Sequence, residues 1–176
     1  SDRPADADAF AGQWLRAHPA DARMLFTMGE TAQVKGDYQK AQKHYEQLLT
    51  LQADHPLALN NLAMLVLPQN SRNALALAER ADRAQPNEPA ILDTLAQAQA
   101  AEGRVADALQ TQQRALSVAP NAPDLRLGLA KLLIQAGERA RARSELVKLA
   151  ELEGKFPHQG EVAGLLKTLG PSLPGR

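Results

Sequence analysis

The chain has 176 residues, 44% hydrophobic and only 3% aromatic, enough for one compact domain whose packing must rest on small side chains. Its 20 basic and 20 acidic side chains cancel, so no long-range field favours nucleic acid or an anionic membrane surface. With no cysteine there is no disulfide framework and no thiol site, and no run approaches the roughly 20 apolar residues that cross a bilayer.

Taken in chain order, DADAFAGQWLRAHPAD places Ala7, Ala11 and Trp14 at helical spacing and predicts a single helix within residues 1–21. Residues 22–55 hold two helices. The first carries Leu25, Met28, Gly29 and Ala32 on one stripe, and the second runs through Ala41 and Tyr45. Gly36 suits the left-handed closure of the first, and Asp37 is placed to cap the second. Residues 56–88 repeat the arrangement through Leu62, Ala63 and Ala74, with one residue missing in LPQNSRNA. There Pro68 ends the first helix early and Ser71 is expected to cap the next. Residues 89–122 run through Leu92, Leu95, Ala96 and Gln99, then Ala108 and Gln112; residues 123–156 run through Leu129 and Ala130, then Ala142 and Leu146. Pro56, Pro89 and Pro123 each suit the first turn of a helix. A last helix, about 158–169 within residues 157–170, carries Val162, Leu165, Leu166 and Leu169 on one stripe and reads as a terminal cap, with 171–176 a frayed tail.

The punctuation is periodic. Gly36, Gly103 and Gly137 are separated by 67 and 34 residues, and so are Pro19, Pro86 and Pro120, which fits a 34-residue unit with one unit of 33. Helices approach closely only where the side chains at the crossing are small, so Gly29 is expected to meet Ala41, and Ala96 to meet Ala108. One such hairpin cannot bury enough apolar surface to offset its ordering entropy, and neighbouring hairpins must stack.

This pattern resembles the tetratricopeptide repeat. The paired residues of the first helix are Met28-Gly29, Leu62-Ala63, Leu95-Ala96 and Leu129-Ala130, and the small residue of the second is Ala41, Ala74, Ala108 and Ala142. The resemblance implies an all-α solenoid, a right-handed superhelix of antiparallel helix hairpins with about ten helices, no cofactor, and first helices lining a concave groove. Its groove positions here are Arg23, Phe26, Glu30 and Gln33; Leu57, Asn60, Met64 and Leu67; Ala90, Asp93, Gln97 and Ala100; Asp124, Leu127, Lys131 and Ile134. Among them Phe26, Glu30, Leu57, Asn60, Met64, Asp93, Gln97, Leu127 and Lys131 are the candidate partner-binding residues. Apolar anchors beside amides and charges suit a peptide or a protein surface. The members that clamp a C-terminal carboxylate use positions that here are Phe26, Glu30, Asn61, Ala90 and Thr94; only Asn61 matches, and Glu30 would repel the ligand.

A narrower likeness covers roughly residues 56–170. LALNNLAMLVL, LAERADRAQPNEPAILDTLAQAQAAEG and KLAELEGKFPHQGEVAGLLKTLG are similar to the C-terminal repeats of exosortase-linked, PEP-CTERM-associated bacterial tetratricopeptide proteins, although DTL is followed by Ala96-Gln97 where that family usually has Gly-Trp. The likeness implies a scaffold for exopolysaccharide production or export, periplasmic or outer-membrane-associated in a full-length protein of which this segment is a fragment beginning mid-repeat. Composition fits the cytoplasm equally well. The alternative is a structural spacer or self-assembly module of a cellulose, alginate or Pel type of secretion complex, docking on another copy through Phe10 and Trp14.

The residues do not assemble a catalytic motif. His18, His44, His55 and His158 lack metal-ligand spacing, and no nucleophile elbow, phosphate-binding glycine loop or dinucleotide fingerprint occurs. Glu151 and Glu153 stand two apart, on different faces of a helix. ERARAR, residues 138–143, reads as a solvated face of alternating charge. Trp14, Tyr38 and Tyr45 fall on repeat-core phases, which favours packing over stacking on a sugar or base. The expectation is a protein without enzymatic activity, metal or nucleic-acid partner.

Overall fold

The computed structural model describes residues 4–170; residues 1–3 of the expected first segment and the expected tail 171–176 lie outside the described residues, as do the side chains of residues 4–8, Ala7 included. Within that span the chain forms ten α-helices and no strand. A first compact unit, ending at Pro86, holds α1 (Pro4–Ala17), α2 (Ala22–Val34), α3 (Tyr38–Leu51), α4 (Pro56–Val66) and α5 (Ser71–Ala84). A second, from Asn87, holds α6 (Pro89–Ala101), α7 (Val105–Val118), α8 (Pro123–Gln135), α9 (Arg139–Ala150) and α10 (Gln159–Leu169). The closest helix pairs are α2–α3, α4–α5, α6–α7 and α8–α9, four hairpins in sequence.

The turns follow their chemistry. Gly36, Gly103 and Gly137 adopt φ of 78°, 77° and 78°, and each stands two residues past the end of the first helix of its hairpin. Asp37 accepts from the Lys40 amide at the start of α3. The cap of α5 is Asn70, not Ser71: the Asn70 Oδ1 accepts from the Asn73 amide, because the shortened turn starts the helix at Ser71 itself. A second device repeats as well. The side chain at one fixed point of three second helices, α3, α5 and α7, reaches back to the turn that leads into its own hairpin: Gln47 donates to the Pro19 carbonyl, Arg80 to the Ala53 carbonyl, and Arg114 to Asn87 Oδ1, whereas the equivalent Lys148 of α9 pairs with Glu145.

The core is built from those small positions. Ala41, Ala63, Ala74, Ala96, Ala108, Ala130 and Ala142 are all fully buried, and Ala96 and Ala108 pack in one cluster. Gly29 lies against the Tyr45 ring. An added Cβ there would lie 2.5 Å from the Tyr45 ring, so the glycine makes room for an aromatic. Of the three aromatics on core phases only Tyr45 is buried; Tyr38 and Trp14 are exposed. Phe156, which periodicity did not single out, is buried with Leu146, Leu149 and Val162 because the turn at Glu153–Lys155 folds it under α8, α9 and α10.

Candidate partner-binding face

In the first unit the expected face is carried by α2 and α4. The Tyr45 ring lies beneath it and ties the two helices: its hydroxyl donates to Gln33 Oε1 of α2 at 3.0 Å and accepts from Asn61 Nδ2 of α4 at 3.1 Å. Burial pushes the hydroxyl above its ordinary pKa, so it stays a neutral donor. Phe26 is half-buried, with its ring 6.0 Å from Tyr45 and 5.2 Å from His55, the residue that caps α4. Beside it opens a cavity of about 250 Å³ lined by Ala22, Arg23, Phe26, Gln52 and His55. On α4, Leu57 and Met64 stand two turns apart on one stripe and remain 41% and 47% exposed. Glu30 is exposed at the edge. Asn60 does not reach the surface; it is buried, with its Nδ2 near Asn61 Oδ1 and Met64 Sδ.

The second unit carries a polar version on α6 and α8. Asp93 accepts from Gln112 Nε2 at 2.6 Å and from Gln97 Nε2 at 2.7 Å, and Gln112 also donates to the Leu125 carbonyl. Burial pushes the Asp93 carboxyl above the usual carboxylate range, against the pull of those two amides. Gln97 is exposed. Leu127 is buried rather than offered to a ligand, because it packs in the cluster of Phe156, Val162 and Leu169. Lys131 pairs with Glu161 of α10 at 2.6 Å. Of the nine candidate residues, Phe26, Leu57, Met64 and Glu30 are at least partly exposed on helices of the first unit, while Asp93, Gln97 and Lys131 present polar groups on the second. The residues that sequence reading missed are Tyr45 and Gln112, which stand at the same point of the repeat and hold successive first helices together. The amphipathic stripe hid them, because it records burial and not hydrogen bonding.

The geometry of the described residues offers surfaces for contact. Among the described residues no group of three His, Cys, Asp or Glu side chains could hold a metal ion, and no helix is long and apolar enough to cross a membrane. His55 spends its Nδ1 on the α4 amide of Ala58. In ERARAR, Arg141 pairs with Glu138, and Arg139 donates to the Leu169 carbonyl at the end of α10.

Two tetratricopeptide-repeat family models match the chain, one over residues 26–89 and one over residues 99–167. A TPR repeat-containing protein of Pseudomonas aeruginosa, PA4667, is 28% identical over 109 residues, 61% of this chain and 18% of that protein. The probable biofilm formation methyltransferase WspC of Pseudomonas putida is 37% identical over 73 residues, 41% of this chain and 17% of that protein. The chain thus spans under a fifth of the length of these relatives. Among solved structures, MamA from Desulfovibrio magneticus superposes with a TM-score of 0.76 at 22% identity, covering 88% of each chain.

Proposed function

The chain belongs to the tetratricopeptide-repeat family of interaction scaffolds, and on that premise we propose that it is a non-catalytic scaffold which holds a protein partner against the α2–α4 face. The observation that carries this reading is the pair Leu57 and Met64, half-exposed apolar side chains on one stripe of α4, together with the half-buried Phe26 ring of α2 and the cavity it lines. Scattered exposed apolar residues need no explanation, but here two share one stripe of α4, and the Tyr45 hydrogen bonds tie that helix to α2, which carries Phe26. Apolar anchors in such a setting supply affinity, and Glu30 with the Asn61 amide favours a partner segment that also carries donors. Selection of a random peptide library on the wild-type chain, followed by calorimetric titration of the selected peptide, tests it. Phe26→Ala with Met64→Ala removes two anchors, and Leu57→Asp with Met64→Asp charges only exposed positions, so the fold is kept in at least one variant.

The setting we infer is the bacterial envelope, in support of exopolysaccharide production or export, with the full-length protein periplasmic or outer-membrane-associated. Support comes from the likeness of residues 56–170 to PEP-CTERM-associated repeats and from the biofilm-related name of one relative. A spacer within a cellulose, alginate or Pel type of complex is the alternative, and a cytoplasmic location would count against both. Cell fractionation with the full-length gene product decides the compartment, and the genes beside it decide between the complexes.

A further inference from the structure

Along α2 the proposed face runs from a cation to an anion. Arg23 and Glu30 are both exposed and stand seven residues apart on one stripe, about 10 Å along the helix axis, with the half-buried Phe26 between them. The turn from α3 to α4 adjoins the Arg23 end. There Ala22, Arg23, Phe26, Gln52 and His55 line a cavity of about 250 Å³.

Every polar side chain of that lining can donate a hydrogen bond, and none is an acid. The Arg23 guanidinium donates only. His55 accepts the Ala58 amide at Nδ1, 3.2 Å away, which assigns the proton of the neutral ring to Nε2 and makes that atom a donor. Gln52 brings the NH₂ of its amide. The Phe26 ring, its centroid 5.2 Å from that of His55, supplies an apolar wall.

The two acids nearest to Arg23 in the sequence are engaged or remote. Asp21 accepts from the Met24 amide at Oδ1 and from Trp14 Nε1 at Oδ2, and these two hydrogen bonds, ahead of the Arg23 charge, hold its carboxyl below the usual range. Glu30 is two turns away. Nor does the repeat itself call for this set of side chains. In the next two repeats the place of Arg23 is taken by Leu57 and Ala90, and that of His55 by Glu88 and Ala122.

We propose that the cavity is a carboxylate subsite of the α2–α4 face, which takes an acidic side chain of the bound partner segment. The methylenes of that side chain lie on the Phe26 ring, and its carboxylate lies among the Arg23 guanidinium, the His55 Nε2–H and the Gln52 amide. Charge and donor count select this occupant. A carboxylate only accepts hydrogen bonds and matches a lining that donates them, whereas a lysine or arginine side chain would meet a like charge and further donors. An apolar side chain would leave the donors unpaired as it displaced their water. None of the three donors stands at a position of the C-terminal carboxylate clamp, and the Phe26 ring gives a side chain's methylenes a surface that a chain end would not use. The subsite rests on the α2–α4 reading and adds to that partner an acid at a fixed place.

The test is a random peptide library fused at its C-terminus to its carrier, so that every carboxylate of the random segment belongs to a side chain. It is selected in parallel on the 176-residue chain and on its Arg23→Glu variant. Because Arg23 is exposed, the variant is expected to keep the wild-type melting temperature. Peptides selected on wild type should carry apolar anchors and, at a fixed offset from them, an acidic residue. Those selected on the variant should keep the anchors and carry lysine or arginine at that offset. In calorimetric titration, replacing the acid of a wild-type-selected peptide by its amide should weaken binding to wild type about tenfold, the size of one charge-assisted hydrogen bond, and binding to Arg23→Gln by less than about twofold. Three results would overturn the subsite while leaving the α2–α4 face standing: apolar anchors in both pools with no acid enriched on wild type, an acid that persists on Arg23→Glu, or an equal loss on the two titrated chains. Pools without shared apolar anchors would overturn both.

Discussion

Tyr45 and Gln112 occupy the same point of the repeat, two units apart, and each joins one first helix to the next through the side chain of the second helix between them. Tyr45 does so with one hydroxyl that donates to Gln33 and accepts from Asn61. Gln112 does so with one amide nitrogen shared between Asp93 and the Leu125 carbonyl. At these two places the spacing of successive first helices, and with it the proposed partner-binding face, is held by hydrogen bonds from a position that is otherwise core.

The two links should differ in cost when broken. Tyr45→Phe keeps the ring against Gly29 and leaves Gln33 and Asn61 within reach of water, so about 1 kcal/mol is lost. Gln112→Leu leaves Asp93 Oδ1 and the Leu125 carbonyl without the donor they share, although Gln97 still holds Asp93 Oδ2, and about 1–3 kcal/mol is lost. Urea unfolding of both variants ranks them, and a Tyr45→Phe that costs as much as Gln112→Leu would contradict the assignment.

The partly buried Asp93 makes stability fall as pH rises. Its folded pKa is raised above the 3.8 of a free aspartate, chiefly by burial. At a pH below that value both the folded and the unfolded chain hold the proton. As pH climbs through the interval between the unfolded and folded values, the unfolded chain gives up its proton first and gains. Asp93→Asn does not titrate and can still accept from Gln112. The melting temperature of Asp93→Asn minus that of wild type should therefore grow more positive from pH 3 to pH 7; a difference that is flat or shrinks over that range would be the wrong sign.

Gly29→Ala inverts an ordinary preference. Alanine in a helix interior is favoured over glycine by about 0.5–1 kcal/mol. At Gly29 the added Cβ would press on the Tyr45 ring at 2.5 Å, an overpacking that costs about 1–3 kcal/mol. The net change should be destabilising, and Tyr45→Leu in the same chain should restore the helical gain. A double-mutant cycle by thermal or urea unfolding reads both signs.

At the irregular turn, Asn70→Ala should cost about 1 kcal/mol as a lost helix cap, and Ser71→Ala markedly less. Equal costs would return the cap to Ser71.

Much of the fold was legible because glycine, proline and alanine carry their meaning locally. A 34-residue recurrence of Gly36, Gly103 and Gly137 is a backbone requirement written in the sequence, and the structure meets it with left-handed turns at all three. What stayed hidden depended on contacts far apart in the chain. Asn60 and Leu127 share the groove phase with Leu57 and Met64, yet both are buried, Leu127 by a cluster that Phe156 and α10 complete. Asn70 displaced Ser71 because a one-residue deletion moves a cap by one position, within the uncertainty of any boundary drawn from pattern. Trp14 and Tyr38 were read as core from their phase, yet both are exposed, because phase alone does not fix which side chains a neighbouring helix covers.

The central claim is that the α2–α4 face binds a partner through apolar anchors, and the affinity of a library-selected peptide for wild type and for the variant carrying Leu57→Asp and Met64→Asp tests it most directly. Loss of two central anchors at about 1–2 kcal/mol each should weaken binding at least tenfold by calorimetry, with the variant's melting temperature unchanged. Equal affinity for the two chains would mean that the partner is held elsewhere and would contradict the account.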